Sequence, residues 1–324
     1  MPTATATAHP NIALCKYWGK RDRTLNLPST PSLSLTLAPF VARTTVTWGA
    51  TADTFLLDGT TASADAATKV YQTLDRLRPD RPPCIVESHN NFPTAAGLAS
   101  SAAGFAALVV AANEAGNLGL STRALAVHAR RGSGSATRSL HGGWVAWPLG
   151  VQSDGLDSVG VPLAPTDHWD VRMLVAVLGA GPKAVGSTEG MLRTQATSPY
   201  YPAWVDQAPG EYEDARGAVA DRDMERLGAI MERSALRMHA SMLAAVPPFC
   251  YWRPESVAAM EAVRGLRRGG TSAWFTMDAG PNVKVLCAAA DAPKVYRALS
   301  AVSERVEVLH PGGPAVVTCR VSSG

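Results

Sequence analysis

No two of the five cysteines (Cys15, Cys84, Cys250, Cys287, Cys319) stand in C-x-x-C spacing. An odd, scattered set suits buried thiols in a reducing compartment better than disulfide staples or a zinc site. The seven histidines are equally dispersed, with no H-E-x-x-H or paired arrangement. No Lys or Arg precedes Lys16, so Met1 to Ala8 lacks the basic start of a signal peptide. The longest apolar run, Ala102 to Ala112, falls well short of the ~20 residues needed to cross a bilayer. The expectation is a soluble cytoplasmic protein. Charge of one sign is scarce too: a net +3 is too small to argue for nucleic acid. It suits an anionic small molecule equally well and decides nothing alone. What the chain does have is core material. Its 324 residues are 46% hydrophobic and 18% charged, enough for one large domain or two packed lobes and incompatible with disorder.

No repeat or low-complexity linker divides the chain. Ser32 to Leu37 alternates Ser or Thr with Leu, and Arg43 to Trp48 is β-branched, so both predict half-buried strands. Val70, Leu74 and Leu77 give Asp65 to Leu77 a helical spacing, and Cys84 to Ser88 reads as a short strand. Gly97 to Ala115 predicts an Ala-rich helix, followed by a second one capped by Ser121 and ending near Arg131. Gly142 to Trp147 and Val171 to Leu178 read as buried strands. Helices are expected over Tyr200 to Val219, Asp221 to Leu243 and Pro254 to Arg267. A closing β-β-α-β unit covers Ser272 to Met277, Val283 to Cys287, Ala292 to Val302 and Arg305 to Leu309. This order predicts an α+β, two-lobed enzyme divided near 180–190, with a cleft shared between the lobes.

Five segments carry chemistry. N-N-F-P-T-A-A-G-L-A-S-S-A (Asn90 to Ala102) puts small residues just before a helix, where backbone N–H groups and the positive helix end can meet phosphate. It is neither a G-x-x-x-x-G-K-[ST] loop nor a G-x-G-x-x-G turn. On chemistry alone it could equally be a tightly packed helix start without a ligand. A-H-P-N-I-A-L-C-K-Y-W-G-K-R-D (Ala8 to Asp22) gathers Asn11, Lys16, Tyr17, Lys20 and Arg21, an anion-binding wall or a solvated basic edge. R-G-S-G-S-A-T-R-S-L-H-G-G-W (Arg131 to Trp144) offers hydroxyls, backbone amides and the Arg138 guanidinium, suited to a carboxylate; a surface turn would look similar. K-A-V-G-S-T-E-G-M-L-R-T-Q-A-T (Lys183 to Thr197) reads as a helix start with Ser187 as cap, where capping and phosphate binding use the same N–H groups. W-F-T-M-D-A-G-P-N-V (Trp274 to Val283) sets Asp278 at a strand end, a common turn-forming position.

Taken together these motifs carry a resemblance. Pro93 to Ala102 resembles the Pro-x-x-x-Gly-Leu-x-Ser-Ser-Ala loop of the GHMP kinase superfamily, which wraps ATP phosphates with magnesium. K-Y-W-G-K-R-D, R-G-S-G-S-A-T-R-S, S-T-E-G-M and M-D-A-G-P-N resemble the diphosphomevalonate decarboxylase family within it, over nearly the whole chain. The resemblance implies a GHMP-kinase-like fold, with a ribosomal-protein-S5-like part over 1–184 and a ferredoxin-like α+β part over 185–324. It implies ATP and magnesium, a small-molecule substrate and a homodimer, with no nucleic-acid or membrane partner. Carried over residue by residue, it makes Asp278 the catalytic carboxylate, with Lys20 in a motif that could steady Asp278 or the developing phosphate, and Arg138 on the substrate carboxylate. It puts Asn11, Lys16, Tyr17, Trp18, Gly19, Lys69, Ser133, Gly134, Ser135, Ala136, Thr137, Ser187 and Thr188 on substrate. It puts Ser88, Asn90, Ala95, Ala96, Gly97, Leu98, Ala99, Ser100, Ser101 and Lys183 on the nucleotide. Cys15 stands where an aliphatic residue is usual, and Gly186 where many relatives have Ser. Ala66 stands where relatives often carry an arginine for the diphosphate, with Lys69 one turn later as its replacement. The implied reaction is decarboxylation through phosphorylation of a tertiary hydroxyl. The open alternatives are the 5-monophosphate as substrate, a 3-kinase on the same scaffold, and a catalytically dead binding protein.

Overall fold

The computed structural model describes residues 1–92, 100–179 and 184–321. The loop residues Ala95, Ala96, Gly97, Leu98 and Ala99, and also Lys183, lie outside the described residues. The chain opens with strands β1 (Thr3–Ala8), β2 (Asn11–Cys15), β3 (Lys20–Asp22), β4 (Leu27–Pro28), β5 (Ser32–Ala38), β6 (Ala42–Trp48), β7 (Thr54–Leu57) and β8 (Thr60–Thr61). Helix α1 (Ala64–Leu77), strand β9 (Cys84–Asn90) and helices α2 (Ser100–Ala115), α3 (Thr122–Gly132) and α4 (Ala136–Ser139) follow. Next come β10 (Trp144–Trp147), β11 (Val161–Ala164), β12 (Val171–Ala176), α5 (Ser187–Thr197), α6 (Tyr201–Asp221), α7 (Met224–Leu243) and α8 (Pro254–Arg268). The chain closes on β13 (Ala273–Met277), β14 (Val283–Ala288), α9 (Ala292–Ser300), β15 (Val306–Pro311) and β16 (Val316–Val321). The result is a mixed α+β fold.

Two large sheets organise these elements. One has the order β16-β1-β6-β9-β7-β8; the other runs β11-β10-β5-β15-β12-β14-β13, with β2 also paired to β5. The first strand is one that sequence pattern did not predict, because its alternating alanines carry little β propensity or hydrophobic signal. Its Ala4, Ala6 and Ala8 are buried in the same cluster as Ala106, Ala107 and Ala111 of α2. Small side chains on both surfaces let an Ala-rich helix lie close on the sheet. Strand β15 pairs with both β5 and β12, joining sequence-distant halves, and β16 pairs with β1.

The helix starts follow local chemistry. Ser121 accepts from the Ala124 N–H at 3.3 Å, Ser63 from Ala66 at 3.4 Å, and Asp223 from Arg226 at 3.0 Å, each cap worth about 1 kcal/mol. Helix α5 is capped by Gly186, which makes no side-chain cap bond, so Ser187 is its first residue and not its cap. Helix α7 packs on β13, and Gly228 allows it: a Cβ there would lie 2.0 Å from the Trp274 ring. Among the described residues no helix is long and apolar enough to cross a membrane.

Candidate active site

Two strand ends and one short helix converge on a cavity of about 150 Å³, lined by Asn11, Lys16, Tyr17, Trp18, Ser135, Arg138, Ser187 and Asp278 among others. Strand β2 ends at Cys15, and Lys16 turns inward with its side chain only 1% exposed. Its Nζ donates to the Ala13 carbonyl at 2.8 Å and to Asp278 Oδ1 at 2.6 Å. From the next strand, Lys284 approaches Asp278 Oδ2 at 3.2 Å. Burial tends to raise the Asp278 carboxyl, but the two ammoniums outweigh it and hold the group well below the usual carboxylate range. Burial also pulls Lys16 down to about 8, against the opposing pull of Asp278.

Arg138 lines the same cavity. It is 2% exposed and donates through Nε to Asn11 Oδ1 at 3.0 Å and through Nη1 to Ser32 Oγ at 2.6 Å. Asn11 is held in turn, donating to Ser139 Oγ at 2.7 Å and the Ser135 carbonyl at 3.1 Å. The guanidinium sits 5.5 Å from the Trp147 ring centroid, and Tyr17 packs on the same ring at 4.8 Å. Burial lowers Arg138 to about 10, so it stays a cation at neutral pH. A rigid, charged fork of this kind fits a carboxylate.

The glycines of these motifs make room for aromatic rings. Gly19 has φ +98°, and a Cβ there would lie 1.8 Å from Tyr201 Oη; at Gly134 it would lie 2.7 Å from Tyr17 Oη. Of the loop residues before Arg138, Ser135 lines the cavity, whereas Thr137 turns away to accept from the Gly160 N–H at 2.7 Å. Ala136 is buried in the hydrophobic core, and Ser133 caps α3. Thr188 is exposed on the first turn of α5.

Lys20 occupies a different place from the one expected. Within this motif it is Lys16, four residues earlier, that pairs with Asp278, and Gly19, at φ +98°, stands between the two lysines before Lys20 enters β3. The Lys20 backbone is clasped by Gln195, at 2.8 Å to its N–H and 3.0 Å to its carbonyl. Burial lowers the Lys20 ammonium, and the neighbouring cations Lys69 and Arg23 lower it further. Neighbouring like charges of this kind suit a multiply charged anion.

A second cavity, about 380 Å³, lies between α1, α2 and the first sheet. Ser88, Asn90, Ser100, Ser101, Lys69 and Ala66 line it beside Phe55, Leu57, Val86 and Phe105. An apolar slot with hydroxyls at a helix start suits a nucleotide. Sequence reasoning missed Lys284, Ser32 and Met238. A charged residue inside the apolar run Val283–Ala288 was the available signal, since a buried lysine requires a partner.

The fold and the two cavities define a class of protein, and comparison with known proteins defines the family. A solved structure described as MDDEF in complex with MVAPP, AMPPCP and magnesium superposes with a TM-score of 0.91 at 41% identity, covering 98% of this chain and 99% of that one. Mevalonate diphosphate decarboxylase from Staphylococcus aureus gives a TM-score of 0.92 at 37% identity, covering 98% of each chain. Residues 8–160 match the diphosphomevalonate decarboxylase-like N-terminal domain, and residues 173–310 the mevalonate 5-diphosphate decarboxylase C-terminal domain. The diphosphomevalonate decarboxylase mvd1 of Aspergillus fumigatus is 39% identical over 92% of this chain and 80% of that protein. The Candida albicans enzyme is 38% identical over 92% of this chain and 88% of its own length. The chain belongs to the diphosphomevalonate decarboxylase family.

Proposed function

We propose that this chain decarboxylates (R)-5-diphosphomevalonate in an ATP-dependent reaction, yielding isopentenyl diphosphate, ADP, phosphate and carbon dioxide. The observation that carries this reading is one cavity lined both by Asp278, paired with two lysines, and by the buried Arg138. In this reading Arg138 holds the substrate carboxylate while Asp278 accepts a hydrogen bond from the tertiary hydroxyl. Tight pairing with Lys16 and Lys284 keeps Asp278 ionised, so it suits orienting the hydroxyl better than storing its proton. Lys20, with Lys69 and Arg23 beside it, takes the diphosphate; Lys69, the stand-in for the arginine absent at Ala66, also lines the second cavity.

The second cavity takes the nucleotide, its phosphates directed towards the start of α2. Ser100 and Ser101 there present hydroxyl oxygens, which fit a hard magnesium ion that keeps most of its waters. Bound with the phosphates, magnesium supplies charge neutralisation for the transferring group. Departure of the new phosphate leaves positive charge at the tertiary carbon, close to the Asp278 carboxylate. Loss of carbon dioxide then returns an electron pair to that carbon as the double bond forms. Holding both anionic ends fixed is the protein's main contribution.

The 1–184 and 185–324 division, a homodimeric state and a cytoplasmic location belong to the same reading. The division and the dimer rest on the family resemblance, and sedimentation of the purified protein tests the dimer. The reaction itself is tested by coupled measurement of ADP release and captured carbon dioxide, with the 5-diphosphate and the 5-monophosphate offered separately. Equal amounts of both products from the diphosphate are expected; ADP without carbon dioxide overturns decarboxylation. Asp278→Asn is expected to abolish turnover while ATP binding persists, and undiminished turnover in it refutes the role of Asp278.

A further inference from the structure

Lys284 is out of place by every packing rule. It sits in β14, between β12 and β13, opposite Val175 and Thr276 and flanked by Val283 and Val285. Its side chain is 0% exposed and it does not line the substrate cavity. A methionine would fill the same tube of space without the cost of burying an ammonium. Its ion-pair contact is Asp278 Oδ2 at 3.2 Å, and its Nζ has no aligned hydrogen bond among the described residues. The groups around it share that condition: Thr276 Oγ1 and His239 Nε2 are buried without partners. His239 adds no charge, because burial, then Lys16, lowers it to about 3. Among the described residues the Lys284 ammonium is therefore committed to the carboxylate.

The two lysines also stand in different places. Lys16 lines the cavity, where a transferring phosphoryl group can draw on its hydrogen bonds; Lys284 reaches the same carboxylate from the closed side. We propose that Lys284 is a positioning residue, fixing the Asp278 carboxylate from behind so that its orientation survives when Lys16 turns to the phosphoryl group. This rests on the reading that Asp278 orients the substrate hydroxyl.

The test compares Lys284→Met with Lys284→Arg, reading kcat, both KM values and melting temperature. Lys284→Met is expected to lower kcat between about tenfold and a hundredfold, the loss that a misplaced catalytic group produces, while both KM values stay within twofold. Lys284→Arg is expected to recover most of the loss. A kcat within threefold of the parent in Lys284→Met overturns the proposal, as does failure of Lys284→Arg to recover activity while folded and binding ATP. Where Lys284→Met does not fold, Lys284→Gln carries the same expectation and the same refutation. Asp278→Asn separates the two ideas. If it is inactive while Lys284→Met is unaffected, the positioning role alone fails; if it is active, the assignment of Asp278 fails first.

Discussion

The sharpest distinction the geometry draws is between two lysines of one motif, Lys16 and Lys20. Lys16→Met removes an ammonium 2.6 Å from Asp278 Oδ1 and keeps the volume of the stem. At an effective dielectric of about 20, two unit charges at that separation attract by about 6 kcal/mol. Two features reduce what is lost. The Asp278 side chain is 27% exposed, so water takes up part of the released charge, and Lys284 remains 3.2 Å from the other oxygen. Less than half of the Coulomb figure should therefore reach the transition state, about 2–3 kcal/mol, or roughly a hundredfold in kcat at 1.36 kcal/mol per decade. Lys20→Met touches no carboxylate contact of Asp278 and should raise KM for the diphosphate substrate with kcat nearly preserved. The pH profile gives an independent check. Lys16 is lowered to about 8, so the parent enzyme should lose kcat as pH rises through that value and the amine becomes neutral. Lys16→Met has no such proton to lose and should be flat there. Steady-state ADP release from pH 6 to 9.5 measures all of this. A Lys16→Met kcat within threefold of the parent, or a Lys20→Met kcat as low as that expected of Lys16→Met, refutes the assignment.

Two further expectations concern the nucleotide cavity and the core. Gly104 lines the second cavity and a Cβ there meets nothing within 4 Å. Gly104→Ala should stabilise α2 by about 0.5–1 kcal/mol by helix propensity, whereas Gly104→Leu should fill the slot and raise KM for ATP at least tenfold. Denaturant titration and initial rates separate the two effects, and a Leu variant with unchanged KM shows that the nucleotide lies elsewhere. Gly228→Ala would drive a methyl group to 2.0 Å from the Trp274 ring. Overpacking of this kind should cost about 1–3 kcal/mol; an unchanged urea midpoint contradicts the α7–β13 packing.

The sequence made some of this legible and hid the rest for physical reasons. Strong periodicity reported the helices well: the Val70, Leu74, Leu77 spacing and the Ser121 cap fall where α1 and α3 lie. Strands without a buried, bulky apolar face stayed hidden. In β1, alternating Thr and Ala has value only because a helix of alanines lies across it. The fully exposed β16 has no buried face to mark it. At the site, residue types pointed to an anion-binding cavity, and Asn11, Arg138 and Asp278 do meet there. Which lysine meets Asp278 was beyond sequence spacing. Lys16 and Lys20 share a motif and a charge, and a single glycine at φ +98° between them sends one inward and the other to β3. Lys284 was hidden differently, inside an apolar strand whose partner arrives from across a turn. Both cases follow from one cause. A motif records which groups are present, while the backbone reversals between them, at Gly19 and over residues 279–282, decide which group holds the carboxylate and from which side.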